Sequence, residues 1–273
     1  MTHQFMEKDK LEKFARIGIA TKGFVYCLIG GLAAIAAFGG GGRKTGSSGA
    51  LKFLSGQPFG QVLLVMTAIG LLGFVFWRFY QAFVDPEDKG TDAKGLAKRF
   101  AYFFSGVFYG FLAFTALQLV FGSGSGGGSG GGGGQESVIA TLLSKPYGQV
   151  LVALVAGIFL IKAIYQLHRA YSDNFKNKVK ESRLTRKAGK IFFNAGRIGY
   201  TSRGIVIGII SYLTFRAAFT ANTSQAGGTE DALSFIQGTF GTVALILIAI
   251  GLFAYGMFMF VKARYREMAL SSE

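Results

Sequence analysis

The chain has 273 residues, of which 51% are hydrophobic and 15% aromatic but only 16% charged, with a mean hydropathy of +0.40. A soluble domain of this length needs about a quarter of its residues as charges to cover its surface, so a soluble globular class is excluded. The net charge of +15 comes from 29 Lys and Arg against 14 Asp and Glu. These cations sit in short clusters between long apolar runs instead of on one solvated face. That placement argues against a nucleic-acid partner and for loops held against anionic lipid heads.

Six apolar stretches follow one another at roughly 17–38, 61–84, 100–121, 148–170, 198–219 and 241–263. Each is about 22 residues long, enough at about 1.5 Å per residue to cross a hydrocarbon core of roughly 30 Å. All six are therefore predicted to be membrane-spanning helices. A short N-terminal segment, 1–13, precedes them. Ala34-Ile35-Ala36 resembles a signal-peptidase site after the first stretch, but that stretch repeats later in the chain, so retention is expected.

The stretches pair into three tandem units, 14–87, 98–175 and 193–267. The second helix of each opens on an aromatic-glycine step, Phe59-Gly60, Tyr147-Gly148 and Phe240-Gly241. With the three glycines superposed, Ala82, Ala170 and Ala263 fall at the same distance. The first helices repeat more weakly: Arg16, Arg99 and Arg197 each precede a glycine by seven residues (Gly23, Gly106 and Gly204), while Ile207 stands where the other units have Tyr26 and Tyr109. Equal periodicity at this scale marks duplication of a supersecondary unit. Units with an even number of spans insert in the same orientation, so the expected fold is an all-α bundle of three parallel two-helix repeats with pseudo-threefold symmetry. Gly30, Gly31, Gly70, Gly73, Gly157, Gly208 and Gly251 are expected at close helix contacts.

On the other side of the membrane each unit carries a short apolar segment, 50–54, 138–143 and 232–236, too short to span and expected to lie as a helix in the interface. The run 122–134 is almost wholly Gly and Ser and reads as a flexible coil, natural or inserted. Alternate connections carry 23 and 4 Lys or Arg, with Lys162 and Arg216 inside the apolar stretches. That asymmetry predicts cytoplasmic N- and C-termini in a multi-pass protein of the cell inner membrane.

The signature Arg-Ile-Gly followed by a cation and glycine, at Arg16–Gly23 and Arg197–Gly204, with Gln57-Pro58-Phe59-Gly60 in the first unit, resembles the bacterial domain of unknown function 1206 family. The resemblance covers nearly the whole chain. It implies three tandem two-helix membrane repeats and carries no assigned activity.

Arg16, Lys22, Arg99, Arg197 and Arg203 fall at the cytoplasmic ends of the odd-numbered helices. They are candidate contacts for anionic lipid or another anion, against a plainer role as topology anchors. Lys162, fourteen residues past Gly148, is a candidate intramembrane functional charge facing a partner or a wet cavity, or a side chain that snorkels to the inner headgroups. Arg216 is the second such charge, with a salt bridge to Glu230 or Asp231 as its plainer role. Trp77, Tyr80, Tyr165 and Tyr171 read as an interfacial aromatic belt.

Catalytic groups are scarce. The six stretches contain no Asp or Glu, and no His-Glu-x-x-His or phosphate-binding Gly-Lys-Ser motif is present. Cys27 has no second cysteine to pair with, and His3 and His168 are far apart in sequence, so neither metal nor cofactor is expected. The expectation is a non-enzymatic membrane scaffold or accessory subunit that binds anionic lipid at the cytoplasmic face or another membrane protein. The alternative is a channel or transporter for a small solute or anion along the pseudo-threefold axis.

Overall fold

The computed structural model describes residues 2–39, 44–86, 88–121, 139, 141–172, 186–222 and 225–265. The Gly/Ser run 122–134 lies outside the described residues, as does most of the basic segment between the second and third repeats. Among the described residues the fold is all-helical: α1 Thr2–Ala37, α2 Ser47–Ser55, α3 Gly60–Phe83, α4 Ala93–Val120, α5 Gly148–Tyr171, α6 Arg186–Thr220 and α7 Thr229–Tyr265. Six of these are long and apolar enough to cross a membrane, from Lys13–Ala37 to Thr229–Arg264.

Several helices start before their apolar stretch. α4 begins at Ala93 because Asp92 caps it, its carboxylate accepting from the Gly95 amide at 3.0 Å. α6 begins at Arg186, within the basic linker.

The starts of α3 and α5 share one geometry. Phe59 and Tyr147 sit in the left-handed region, at φ 60° and 62°. The following glycine amide then bonds back three residues, Gly60 to the Gln57 carbonyl at 2.8 Å and Gly148 to the Lys145 carbonyl at 2.9 Å. A Cβ on Gly60 would strike the Leu54 carbonyl oxygen, and one on Gly148 the Leu142 carbonyl oxygen. The third repeat solves the same corner differently. α7 runs on from its short outer segment and breaks at Gly241, whose φ of 81° suits glycine while space around it is open.

The short outer segments are helical where described, and most of their apolar residues face inward, Phe53 being the exposed exception. Ala50, Leu51 and Leu54 in α2, and Ala232, Leu233 and Ile236 before the break in α7, are all at most 3% exposed, and Ile139 is equally buried. The short helices expected from their length thus turn an apolar face inward. Burial of Leu51, Leu54, Leu233 and Ile236 contributes about 1.5–3 kcal/mol each.

The chain forms two compact units. The first contains α1 up to Gly23, α3, α4 and the end of α7 from Met259. Here α3 packs on α4, and α1 meets α3 so closely that a Cβ on Gly18 would lie 2.6 Å from Phe74 and one on Gly70 would collide with Thr21. The second unit contains α1 from Phe24, most of α2, α5, α6 and α7 up to Phe258. Its core gathers Val25, Ile29, Val206, Ile210, Leu245 and Leu252. α5 packs on α6, with the buried Ser211 hydroxyl donating to the Ala156 carbonyl at 2.7 Å. Gly30 and Gly251 sit at contacts that a Cβ would close. Gly31 and Gly157, expected at such contacts, face open space.

Candidate functional site

Each unit holds one cation at the same repeat position, the residue before the glycine of the first helix: Lys22 before Gly23 and Arg203 before Gly204. Each reaches two kinds of aromatic. One stands fourteen residues after the glycine that opens the second helix of the same repeat, Phe74 after Gly60 and Tyr255 after Gly241. The other is the tyrosine three residues after the first-helix glycine of another repeat, Tyr109 from the second and Tyr26 from the first.

In the first unit the Lys22 ammonium lies 5.3 Å from the centre of the Phe74 ring and 5.0 Å from that of Tyr109. The two rings meet edge-to-face at 4.7 Å and 74°. Lys22 is only 7% exposed, and ring faces offer its charge a negative quadrupole where water is scarce. Arg78 stacks beside it, 4.8 Å from Phe74 and 5.0 Å from Tyr102, and donates to the Gln81 side chain at 2.9 Å.

In the second unit the rings of Tyr26 and Tyr255 meet at 4.8 Å and 75°, nearly the same pose, with the Arg203 guanidinium 5.0 Å from each. The chemistry is richer. Arg203 donates to the Tyr26 hydroxyl at 2.8 Å, the Tyr255 hydroxyl at 2.8 Å and the Gln166 side-chain oxygen at 3.1 Å. These acceptors come from α1, α7 and α5, so one planar fork on α6 ties together three other helices. Tyr200 adds an edge contact to Tyr255 and carries Arg169 over its face.

The repeat position in the middle unit has neither cation nor rings. Ser105 replaces the cation, Lys162 replaces the aromatic and Ile207 replaces the tyrosine. The three substitutions coincide, as they would if the site worked only as a set. Lys162 itself is exposed on α5.

The arginines that open each repeat form a second series. Arg99 donates to the carbonyls of Ala82 and Phe83 at 2.8 and 2.9 Å, at the end of α3. Arg16 donates to the carbonyl of Arg264 at 3.0 Å, at the end of α7. Phe83 and Arg264 occupy the same place, twenty-three residues after Gly60 and Gly241. Cations at helix C-termini bond unsatisfied carbonyls and oppose the negative end of the macrodipole. Arg197 reaches the matching residue of α5, Tyr171, but stacks on its ring at 4.5 Å.

The sequence marks Arg16, Lys22, Arg99, Arg197 and Arg203 as lipid or anion contacts or topology anchors; in the structure each of them bonds or stacks on a protein group. What sequence reading missed was the aromatic partners, although their alignment across repeats was visible. Arg216 is exposed and donates to the Gln225 side chain at 3.1 Å, replacing the expected bridge to Glu230 or Asp231; Asp231 instead accepts from the Gly228 amide. Trp77, read as a belt residue, is 4% exposed and stacks on Tyr80. Outside the spans, Asp85 sits in the left-handed region and accepts from the amides of Lys89 and Gly90 at 2.9 and 2.8 Å. The Lys89 amide is the main influence holding its carboxyl below the usual range, with Gly90, Arg99 and the Lys89 charge adding to it.

A family model described as Domain of Unknown Function (DUF1206) matches the chain three times, at residues 17–85, 100–173 and 198–266. The chain is also 35% identical over 262 residues to "Uncharacterized protein YxxB" of Bacillus subtilis (strain 168), an overlap of 96% of this chain and 93% of that protein. No solved structure matches.

Proposed function

Because the chain belongs to the DUF1206 family and spans a membrane several times, we propose that it is a non-catalytic scaffold or accessory subunit of the cell inner membrane, with cytoplasmic termini. Its ligands are lipids and, through its outer apolar faces, another membrane protein. The observation that carries this reading is the use made of two cations within the apolar helices. Lys22 and Arg203 are spent on bridging helices of different repeats, where a conducting or catalytic protein keeps such groups for a substrate. The absence of Asp and Glu from the apolar stretches supports it, since ion-coupled carriers use intramembrane carboxylates. The basic side of the membrane, with 23 Lys and Arg, favours the cytoplasmic leaflet and its anionic heads.

Extended apolar faces supply the partner surface. Along α4, Phe100, Phe104, Phe108, Phe111 and Phe114 are all more than 40% exposed at helical spacing. Extraction into polymer-bounded native lipid discs, followed by identification of bound lipids and proteins, tests the reading. Enrichment of anionic lipid or a defined membrane protein is expected. Reconstitution into liposomes should give no anion or solute flux above empty vesicles. Flux that disappears in Arg203→Ala would overturn the scaffold in favour of a conducting pathway.

A further inference from the structure

Arg197 differs from its two repeat equivalents in a way that leaves its donors available. Arg16 and Arg99 give theirs to helix-end carbonyls. Arg197 lies flat on Tyr171, is exposed, and makes no side-chain hydrogen bond among the described residues. A stacked guanidinium keeps its N–H edge pointing outward, in the fork that grips two oxygens of a phosphate.

That edge stands at one end of a lateral groove of about 650 Å³ in the second unit, a volume within the roughly 300–1,000 Å³ of ligand sites. Beside Arg197 the groove is lined by Asn194 and Thr201. Further along it is apolar, with Ile205 and Ile209 of α6 facing Ala244 and Leu247 of α7. From residue 194 to 209 the groove follows α6 for about 22 Å. One leaflet of a bilayer is about 15 Å of hydrocarbon, so a complete acyl chain fits along it.

We infer that this groove holds one anionic glycerophospholipid, with its phosphate on Arg197 and Asn194 and one acyl chain between α6 and α7. The occupant is set by complementarity. A single cationic end on a long apolar slot matches an amphiphile with one anionic head, whereas a partner helix would be apolar along its whole length. The inference deepens the lipid-binding reading and assigns it to one of the five candidate cations.

The test is titration of delipidated, detergent-purified protein with a phosphatidylglycerol and with a phosphatidylcholine of identical chains, read by native mass spectrometry. The wild type is expected to prefer phosphatidylglycerol. Arg197→Gln should weaken phosphatidylglycerol at least about tenfold, the scale of a lost charge-assisted bidentate pair, and weaken phosphatidylcholine less, because its choline already offsets the phosphate that Arg197 grips, so that the preference is lost. Ala244→Phe, which fills the groove, should weaken both. Arg99→Gln, whose donors are already used, should leave both affinities at the wild-type level. If the wild type keeps its preference but Arg197→Gln matches it, or Arg99→Gln loses as much, the site is overturned while lipid binding stands. A wild type that binds neither lipid removes the lipid-binding reading itself. A wild-type dimer split by Ala244→Phe would show that the groove is filled by a second copy, which also overturns the inference.

Discussion

The two cation sites occupy equivalent positions and hold their rings within 1° and about 0.1 Å of the same pose, yet they are held together by different forces. Lys22 is a compact charge facing ring surfaces, one of them a phenylalanine with nothing to accept a hydrogen bond. Arg203 faces two tyrosines and a glutamine and donates to an oxygen of each. Three changes make the difference: the cation is Lys in one and Arg in the other, Phe74 lacks the hydroxyl that Tyr255 supplies, and Gln166 adds a third acceptor. A repeat can thus keep its packing geometry while the cation at its centre changes from an ammonium set over two rings to a guanidinium hydrogen-bonded to three other helices.

The comparison breaks most sharply at Arg203. Arg203→Ala orphans three acceptors at once, and with interhelical hydrogen bonds in membranes at about 0.6–1.7 kcal/mol each, a loss of about 3 kcal/mol is expected in detergent-denaturant unfolding. Arg203→Lys should recover only part of it, because an ammonium cannot span the three acceptors. Next come the glycines that let the rings approach. A Cβ on Gly199 would lie 2.6 Å from Tyr255, as one on Gly18 would from Phe74. Gly199→Ala and Gly18→Ala should each cost about 2 kcal/mol by overpacking, and equal losses would establish that the two sites share their packing and differ only in their bonding. Lys22→Met should cost about 1 kcal/mol, the scale of a desolvated cation–π contact. A loss as large as that of Arg203→Ala would refute the distinction.

The smallest effect lies outside both sites. Asp85 has its carboxyl held below the usual range, so its contribution is present above the unfolded value of about 3.9 and is lost as pH falls through the lower folded value. Asp85→Asn should flatten that acid limb of the unfolding curve without changing stability at neutral pH by more than a fraction of the other effects. A flattening at neutral pH instead would point to a different titrating group.

How far the sequence could be read follows from the range of each interaction. The six spans are set by hydropathy over windows of about twenty residues, and the repeats by self-similarity, so both were legible. The aromatic-glycine corners were also legible as a pattern, but not why they need glycine, since the clash is with a carbonyl at Leu54 or Leu142. The short outer segments were legible as helices too short to span, but not which of their side chains face inward, since the burial of Leu51 and Leu233 depends on neighbours far along the chain. Arg203 looked like a lipid anchor for the same reason: Tyr26 is 177 residues away from it. The clue within reach was the coincidence of Ser105, Lys162 and Ile207, which remove a cation, a ring and a tyrosine from aligned positions together.

Arg16 has a consequence for how the protein is made. Its acceptor, the Arg264 carbonyl, lies 248 residues further on, and at roughly 5–20 residues per second of synthesis it emerges about 10–50 s after Arg16 itself. Through that interval the leading helix is inserted with its guanidinium still awaiting a carbonyl, and only the last turn of the last helix supplies it. A nascent product halted before α7 therefore lacks the contact that ties α1 to the end of α7.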